Sequence, residues 1–195
     1  MDDGRVLDLL SCRSEDSFEF TIPDAAPPVR VWRLHVDPET RASLSLVEFP
    51  VRWCRPGRGH YLAGEEFVVL RGSLQVSARL SGPGAWAWLP PGVTRWDSCS
   101  RDGALALAWF SGPAVWCSGD GPTAGTGHGG LAAAGPLRVR APGVPGRSAV
   151  LSRLPAKPVQ VDRDVLALRD FSWAFVPAGR APGPVDGPVL ERRWS

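Results

Sequence analysis

The sequence predicts an all-β protein built on an antiparallel barrel, and three observations carry that expectation. Short runs rich in Val, Leu, Ala and Trp recur along the chain, clusters of Gly and Pro separate them, and amphipathic helical periodicity is scarce. Several short strands at such spacing suit a barrel or sandwich in which one sheet closes over another.

Taken in order, residues 6–10 give the one short helix the pattern supports, and a weak one. Strands are expected at 29–34, 42–47, 66–70, 73–80, 85–89 and 104–110. The connectors Asp37-Pro-Glu-Thr40, Arg55-Pro-Gly57, Ser81-Gly-Pro-Gly84 and Pro90-Pro-Gly92 carry the residues that turns need. Residues 1–117 therefore form the barrel with its N-terminal strands, and the Gly/Ala-rich stretch 118–135 reads as a linker containing His128. Residues 136–195 form a C-terminal segment. The order of features in 6–33 recurs faintly in 165–194, so this segment is either a truncated second repeat packed on the barrel or a pair of similar strands in one sheet.

The 195 residues suffice for one domain, or one with a short companion, and 44% hydrophobic with 22% charged residues describe a soluble globular chain. One Lys, one Ile, no Asn and abundant Arg, Ala, Gly, Pro and Val suggest a GC-rich bacterial genome. A net charge of +2 with scattered arginines gives no footprint for nucleic acid. No apolar run is long enough to span a membrane, and the acidic start does not resemble a signal peptide, so a cytoplasmic protein is expected. The four cysteines, Cys12, Cys54, Cys99 and Cys117, are far apart without a CxxC pair and are expected to be free and buried.

Two separated patterns are more specific. The first runs from Arg52 through Arg58, His60, Glu65 and Gly72; the second runs Gly84, Pro90, Gly92, Arg95, Cys99. Over residues 29–112 these resemble the two motifs of the cupin superfamily: Gly, five residues, His-x-His, three or four residues, Glu, six residues, Gly; then Gly, five residues, Pro-x-Gly, two residues, His, three residues, Asn. The phrase Gly64-Glu-Glu-Phe-Val-Val-Leu-Arg-Gly72 is most similar to bacterial cupins related to acetylacetone-cleaving enzymes and anti-sigma-factor cupin domains. The resemblance implies a cupin-type, jelly-roll-like β-barrel, a homodimer, and a metal held by three imidazoles and a carboxylate. Here Arg58 and Arg95 stand in two of the four ligand places, and a guanidinium offers no lone pair. The expectation is therefore no metal and no cofactor, unless a slipped register lets Tyr61, Cys54 or Glu66 fill in.

Alternation places Arg58 and His60 on one face of a strand, with Glu65 and Arg95 brought beside them. His60 and Glu65 would handle protons, and Arg58 and Arg95 would orient an anionic or carbonyl oxygen. Tyr61, Trp86, Trp88, Trp96 and Trp109 would wall the cavity for an aromatic or polyketide-like substrate; as plain core filling they would only pack the barrel. The expected function is a metal-independent cyclase, isomerase, dehydratase or decarboxylase of bacterial secondary metabolism, such as antibiotic biosynthesis. Two other readings stay open: a non-catalytic ligand-binding or regulatory cupin whose Arg58–Glu65–Arg95 network plugs the barrel, and a metal-dependent dioxygenase.

Overall fold

The computed structural model describes residues 6–12, 14–124, 127–130, 138–139, 147–154 and 156–194. The first strands are β1 (Val6–Asp8), β2 (Phe18–Phe20), β3 (Val29–Val36), β4 (Ser43–Phe49), β5 (Trp53–Arg55), β6 (Gly59–Tyr61) and β7 (Glu65–Gly72). There follow β8 (Leu74–Val76), β9 (Arg79–Ser81), β10 (Ala85–Leu89), β11 (Ser98–Ser100), β12 (Ala104–Phe110) and β13 (Trp116–Ser118). The last are β14 (Gly127–Gly130), β15 (Arg138–Val139), β16 (Arg147–Leu151), β17 (Arg163–Ala167), β18 (Ser172–Val176) and β19 (Val189–Arg193). Among the described residues the only helix is a single 3-10 turn at Ser14–Asp16, and none is long and apolar enough to cross a membrane.

The chain divides into two compact units, 13–129 and 1–12 with 130–195. In the larger unit a seven-stranded sheet runs in the order β14-β10-β7-β12-β4-β3-β2, accompanied by a four-stranded sheet, β5-β11-β8-β9, and the pair β13-β6. Among the described residues the sheets are not hydrogen-bonded into one closed barrel. Instead Val29, Val31, Val47, Phe49, Phe67 and Val69 of the large sheet form one apolar core with Trp53 and Leu74 of the smaller one, a jelly-roll arrangement. The opposite face of the large sheet is buried too, at Trp32, Leu44, Leu46, Val68 and Leu107. Burial on both faces explains why Phe67-Val-Val-Leu70 and Ala104-Leu-Ala-Leu-Ala-Trp109 read as unbroken apolar runs rather than alternating ones.

The smaller unit holds a sheet in the order β1-β18-β17-β19-β16-β15. Position by position from β14 and β1, this is the order of the large sheet, shorter only by β2. The registers agree as well. Trp86 lies opposite Val68, two residues after Glu66, and Trp173 lies opposite Leu166, two residues after Asp164. In each sheet the tryptophan donates its indole N–H to the buried carboxylate, at 3.0 Å to Glu66 Oε1 and 3.1 Å to Asp164 Oδ1. Among the described residues the smaller unit thus repeats the large sheet of the larger one, without strands that correspond to β2, β5, β6, β8, β9, β11 and β13.

Several expectations change. Residues 6–10 are not helical: Val6–Asp8 pairs antiparallel with β18 and so belongs to the smaller unit, not to the barrel. The strand order repeats between the sheets, but it matches β17 with β7 rather than residues 165–194 with 6–33. The run 73–80 is two strands, because Ser77 adopts a positive φ of 56° and turns the chain back from β8 to β9. Within 118–135, Gly127–Gly130 is an edge strand of the large sheet that includes His128, while 125–126 and 131–135 lie outside the described residues. The cysteines form no disulfide among the described residues and are not buried: Cys54 is exposed and Cys12, Cys99 and Cys117 are half-buried.

Candidate functional site

The site is set by the register of β6. Gly59 and Arg95 exchange both backbone hydrogen bonds, 3.0 and 2.8 Å, which fixes the strand against the segment after Gly92. Alternation then turns Gly59 and Tyr61 to the buried side and His60 away from it. His60 Nδ1 lies 3.3 Å from the Gly119 carbonyl oxygen. A one-residue slip flips every side chain on a strand. The chain uses the spacing with three residues before Glu65, so Gly59 and Tyr61, not Arg58 and His60, occupy the two histidine places. Gly59 is needed there because a Cβ would overlap the Trp116 ring.

Arg58 lies in solvent, its side chain 2.7 Å from Asp120 Oδ1 and its guanidinium 5.3 Å from the Trp96 ring centroid. Of the four residues expected to do chemistry, Glu65 and Arg95 come together, and Arg58 and His60 do not join them. Arg95 is only 2% exposed and donates from Nη1 to Glu65 Oε2. Its Cζ stands 4.7 Å from the Tyr61 ring centroid. Arg95 Nε and Nη2 have no hydrogen-bond partner among the described residues. Burial lowers the Arg95 pKa from its ordinary value, with Glu65 opposing that shift. A second buried arginine, Arg55, donates from Nη1 to the Tyr61 hydroxyl oxygen at 3.1 Å and stacks 3.9 Å from the Trp116 ring centroid. Burial pushes the Tyr61 phenol up, against the pull of Arg55.

Tyr61 and Glu65 line a cavity of about 120 Å³ whose other walls are mostly apolar, including Val31, Phe49 and Phe110, with Arg33, Ser43 and Ser45 as the remaining polar groups. Tyr61 meets Phe110 and Trp116 edge-on, at 5.1 and 5.0 Å between centroids. The expected tryptophan wall is elsewhere. Ala87, Leu89 and Ala108 supply the inner face of their strands, so Trp86, Trp88 and Trp109 lie on the other face of the sheet, and Trp96 packs with Arg58. Arg55, Phe110 and Trp116 are the site residues that sequence reasoning missed. The alternation of Trp53-Cys-Arg55 was the available signal for the first.

The four ligand places of the motif are therefore Gly59, Tyr61, Glu65 and Arg95. Gly59 has no side chain and Arg95 no lone pair, so two oxygens remain, and the set does not fit a metal. Among the described residues no group of three or more His, Cys, Asp or Glu side chains is placed to hold one elsewhere.

No family model and no curated protein matches the sequence. Solved structures do. A candidate dioxygenase from Nostoc punctiforme superposes with a TM-score of 0.70 at 14% identity, covering 100% of this chain and 84% of that one. Protein Ylba from E. coli superposes with a TM-score of 0.61 at 11% identity, over 97% of this chain and 90% of that one. A candidate glyoxylate-induced protein from Pseudomonas aeruginosa gives 0.54 at 15%, over 100% and 90%. The chain has the cupin fold. Because the alignments run through both units of this chain, the smaller sheet is part of the likeness. Identities this low carry the architecture and not the chemistry.

Proposed function

We propose that this cupin is a metal-independent acid–base enzyme acting on a small, largely apolar carbonyl compound. One observation carries the reading: a phenol and a carboxylate, each anchored by a buried arginine, open onto one mostly apolar cavity. Arg55 donates to the Tyr61 oxygen, which leaves the Tyr61 proton to be given to a carbonyl oxygen of the substrate. The raised phenol pKa keeps that proton in place at neutral pH. Glu65 removes a proton from the carbon beside the carbonyl, Tyr61 stabilises the enolate oxygen, and Glu65 returns the proton at another position. Isomerisation, cyclisation and dehydration draw on this step; decarboxylation, in which CO2 leaves in place of the proton, shares only the stabilised enolate and its protonation. The role first given to His60 falls to Tyr61, and Arg95 positions Glu65 rather than touching substrate.

The test is deuterium uptake, followed by NMR, into a panel of small ketones and 1,3-dicarbonyls mixed with the full chain in heavy water. Uptake above buffer should fall at least about 100-fold in Glu65→Gln and by a similar factor in Tyr61→Phe, while His60→Ala leaves it unchanged. Uptake that survives Glu65→Gln would sink the proposal. The closed ion pair between Arg95 and Glu65 favours a second reading, binding without turnover. In that case panel compounds shift the cavity resonances but no deuterium enters.

A further inference from the structure

We propose that Cys54 and Cys99 form a reversible oxidation site on the four-stranded sheet. The two residues lie directly opposite each other in the antiparallel pairing of β5 with β11. The Cys54 N–H donates to the Ala26 carbonyl at 2.8 Å, and the Cys54 carbonyl accepts from the Ala26 N–H at 3.0 Å. Both backbone groups of Cys54 therefore point away from β11, which makes Cys54 and Cys99 a pair of the narrow, non-hydrogen-bonded kind. Such pairs hold their Cα atoms about 4.5 Å apart, inside the roughly 4.4–6.8 Å that a disulfide spans. Opposed residues share a face of the sheet, so the two thiols project the same way. Cys54 is exposed and Cys99 half-buried, so a reagent reaches the first from solvent while the second stands beside it. The other cysteines have no such neighbour: Cys117 lies opposite His60, and Cys12 Sγ donates to the Asp8 carbonyl at 3.6 Å.

The co-reactant is a low-molecular-weight disulfide. The Cys54 thiolate attacks one of its sulfurs and expels the first thiol, leaving a mixed disulfide on Cys54. The Cys99 thiolate then attacks the Cys54 sulfur and expels the second thiol. Two protein thiols are oxidised to one cross-strand disulfide, and one small disulfide is reduced to two thiols that take up the two protons. The bond would fasten β5, whose next residue, Arg55, points to the other side and holds Tyr61.

The experiment treats the full chain with a graded ratio of oxidised to reduced glutathione, followed by free-thiol titration and peptide mapping without reduction. Two thiols should disappear together, a 54–99 linked peptide should form without retained glutathione, and the thermal midpoint should rise by roughly 5–10 °C. Cys99→Ser should stop at a glutathione adduct on Cys54. Four titratable thiols at the oxidising end, a linkage through Cys12 or Cys117, or separate glutathione adducts on Cys54 and Cys99 in the unaltered chain would each overturn the proposal. The linkage is read in the unaltered chain, so it stands whether or not the variant folds.

Discussion

The two units share a sheet and differ in what lies against it. Both place a buried acid and its indole donor at the same register, Glu66 with Trp86 and Asp164 with Trp173. Among the described residues only the larger has the four-stranded sheet and the β13-β6 pair, which bring Arg55 and Tyr61 to the site that Glu65 of the large sheet lines. The connections show where the change fell. Between β7 and β10 the larger unit inserts the β8–β9 hairpin, whereas β17 passes to β18 through residues 168–171 alone. The difference separates two jobs that one barrel usually combines. The strand ladder with its acid–tryptophan pair maintains the sheet, and the strands and connections laid against it complete a site around Glu65.

If that division is right, removing the shared pair should hurt both units most. Trp86→Ala and Trp173→Ala each open a large void and remove the donor of a buried carboxylate, so each should cost about 3–5 kcal/mol. A loss below about 1 kcal/mol at either, by chemical denaturation, would break the equivalence. Next comes the pair found in the larger unit alone. Arg95→Met leaves Glu65 without its counter-charge and should cost about 3 kcal/mol, and adding Glu65→Leu should restore most of it. Failure of the double variant to recover would show that Arg95 supports more than Glu65.

The acids can also be told apart by pH. Burial outweighs Arg192, 4.0 Å away, and raises Asp164 from its ordinary 3.8 to about 7. The folded value lies above the unfolded one, so the stabilisation is complete below about pH 4 and is lost as the pH rises through about 7. Stability should therefore drop by about 2–3 kcal/mol between pH 5 and 8, and Asp164→Asn should flatten that slope. An unchanged slope in the variant would place the titrating group elsewhere. The smallest effect is expected at Arg58, whose partner Asp120 is solvent-exposed. Arg58→Ala should shift stability by less than about 1 kcal/mol and leave deuterium uptake within twofold; a larger loss would return Arg58 to the site.

Much of the larger unit was legible in the sequence. The strands at 85–89 and 104–110 match β10 and β12 residue for residue, because burial on both faces and flanking turn residues leave little ambiguity. The turn glycines served equally well. Gly72, at a φ of 71°, packs against the Gly103 carbonyl, where a side chain would not fit. The site was half legible. Glu65 and Arg95 stood out by spacing, but the motif allows three or four residues before the glutamate, and nothing local chooses between them. The choice is made by the pairing of Gly59 with Arg95 and by the Trp116 ring above it, both long-range contacts. The smaller unit was least legible, since its strands are short and separated by Pro-rich connections with no second metal-type motif to fix their order.

The pairing of Val6–Asp8 with Ser172–Ala174 has a consequence for how the molecule is made. This edge strand leaves the ribosome before the larger unit, and the strands it shares a sheet with leave after it. It must stay unpaired while the whole of the larger unit emerges and folds, and an unpaired edge is a target for other chains. Assembly of the smaller unit is thus a late closing step, dependent on segments from both sides of the larger unit being present at once.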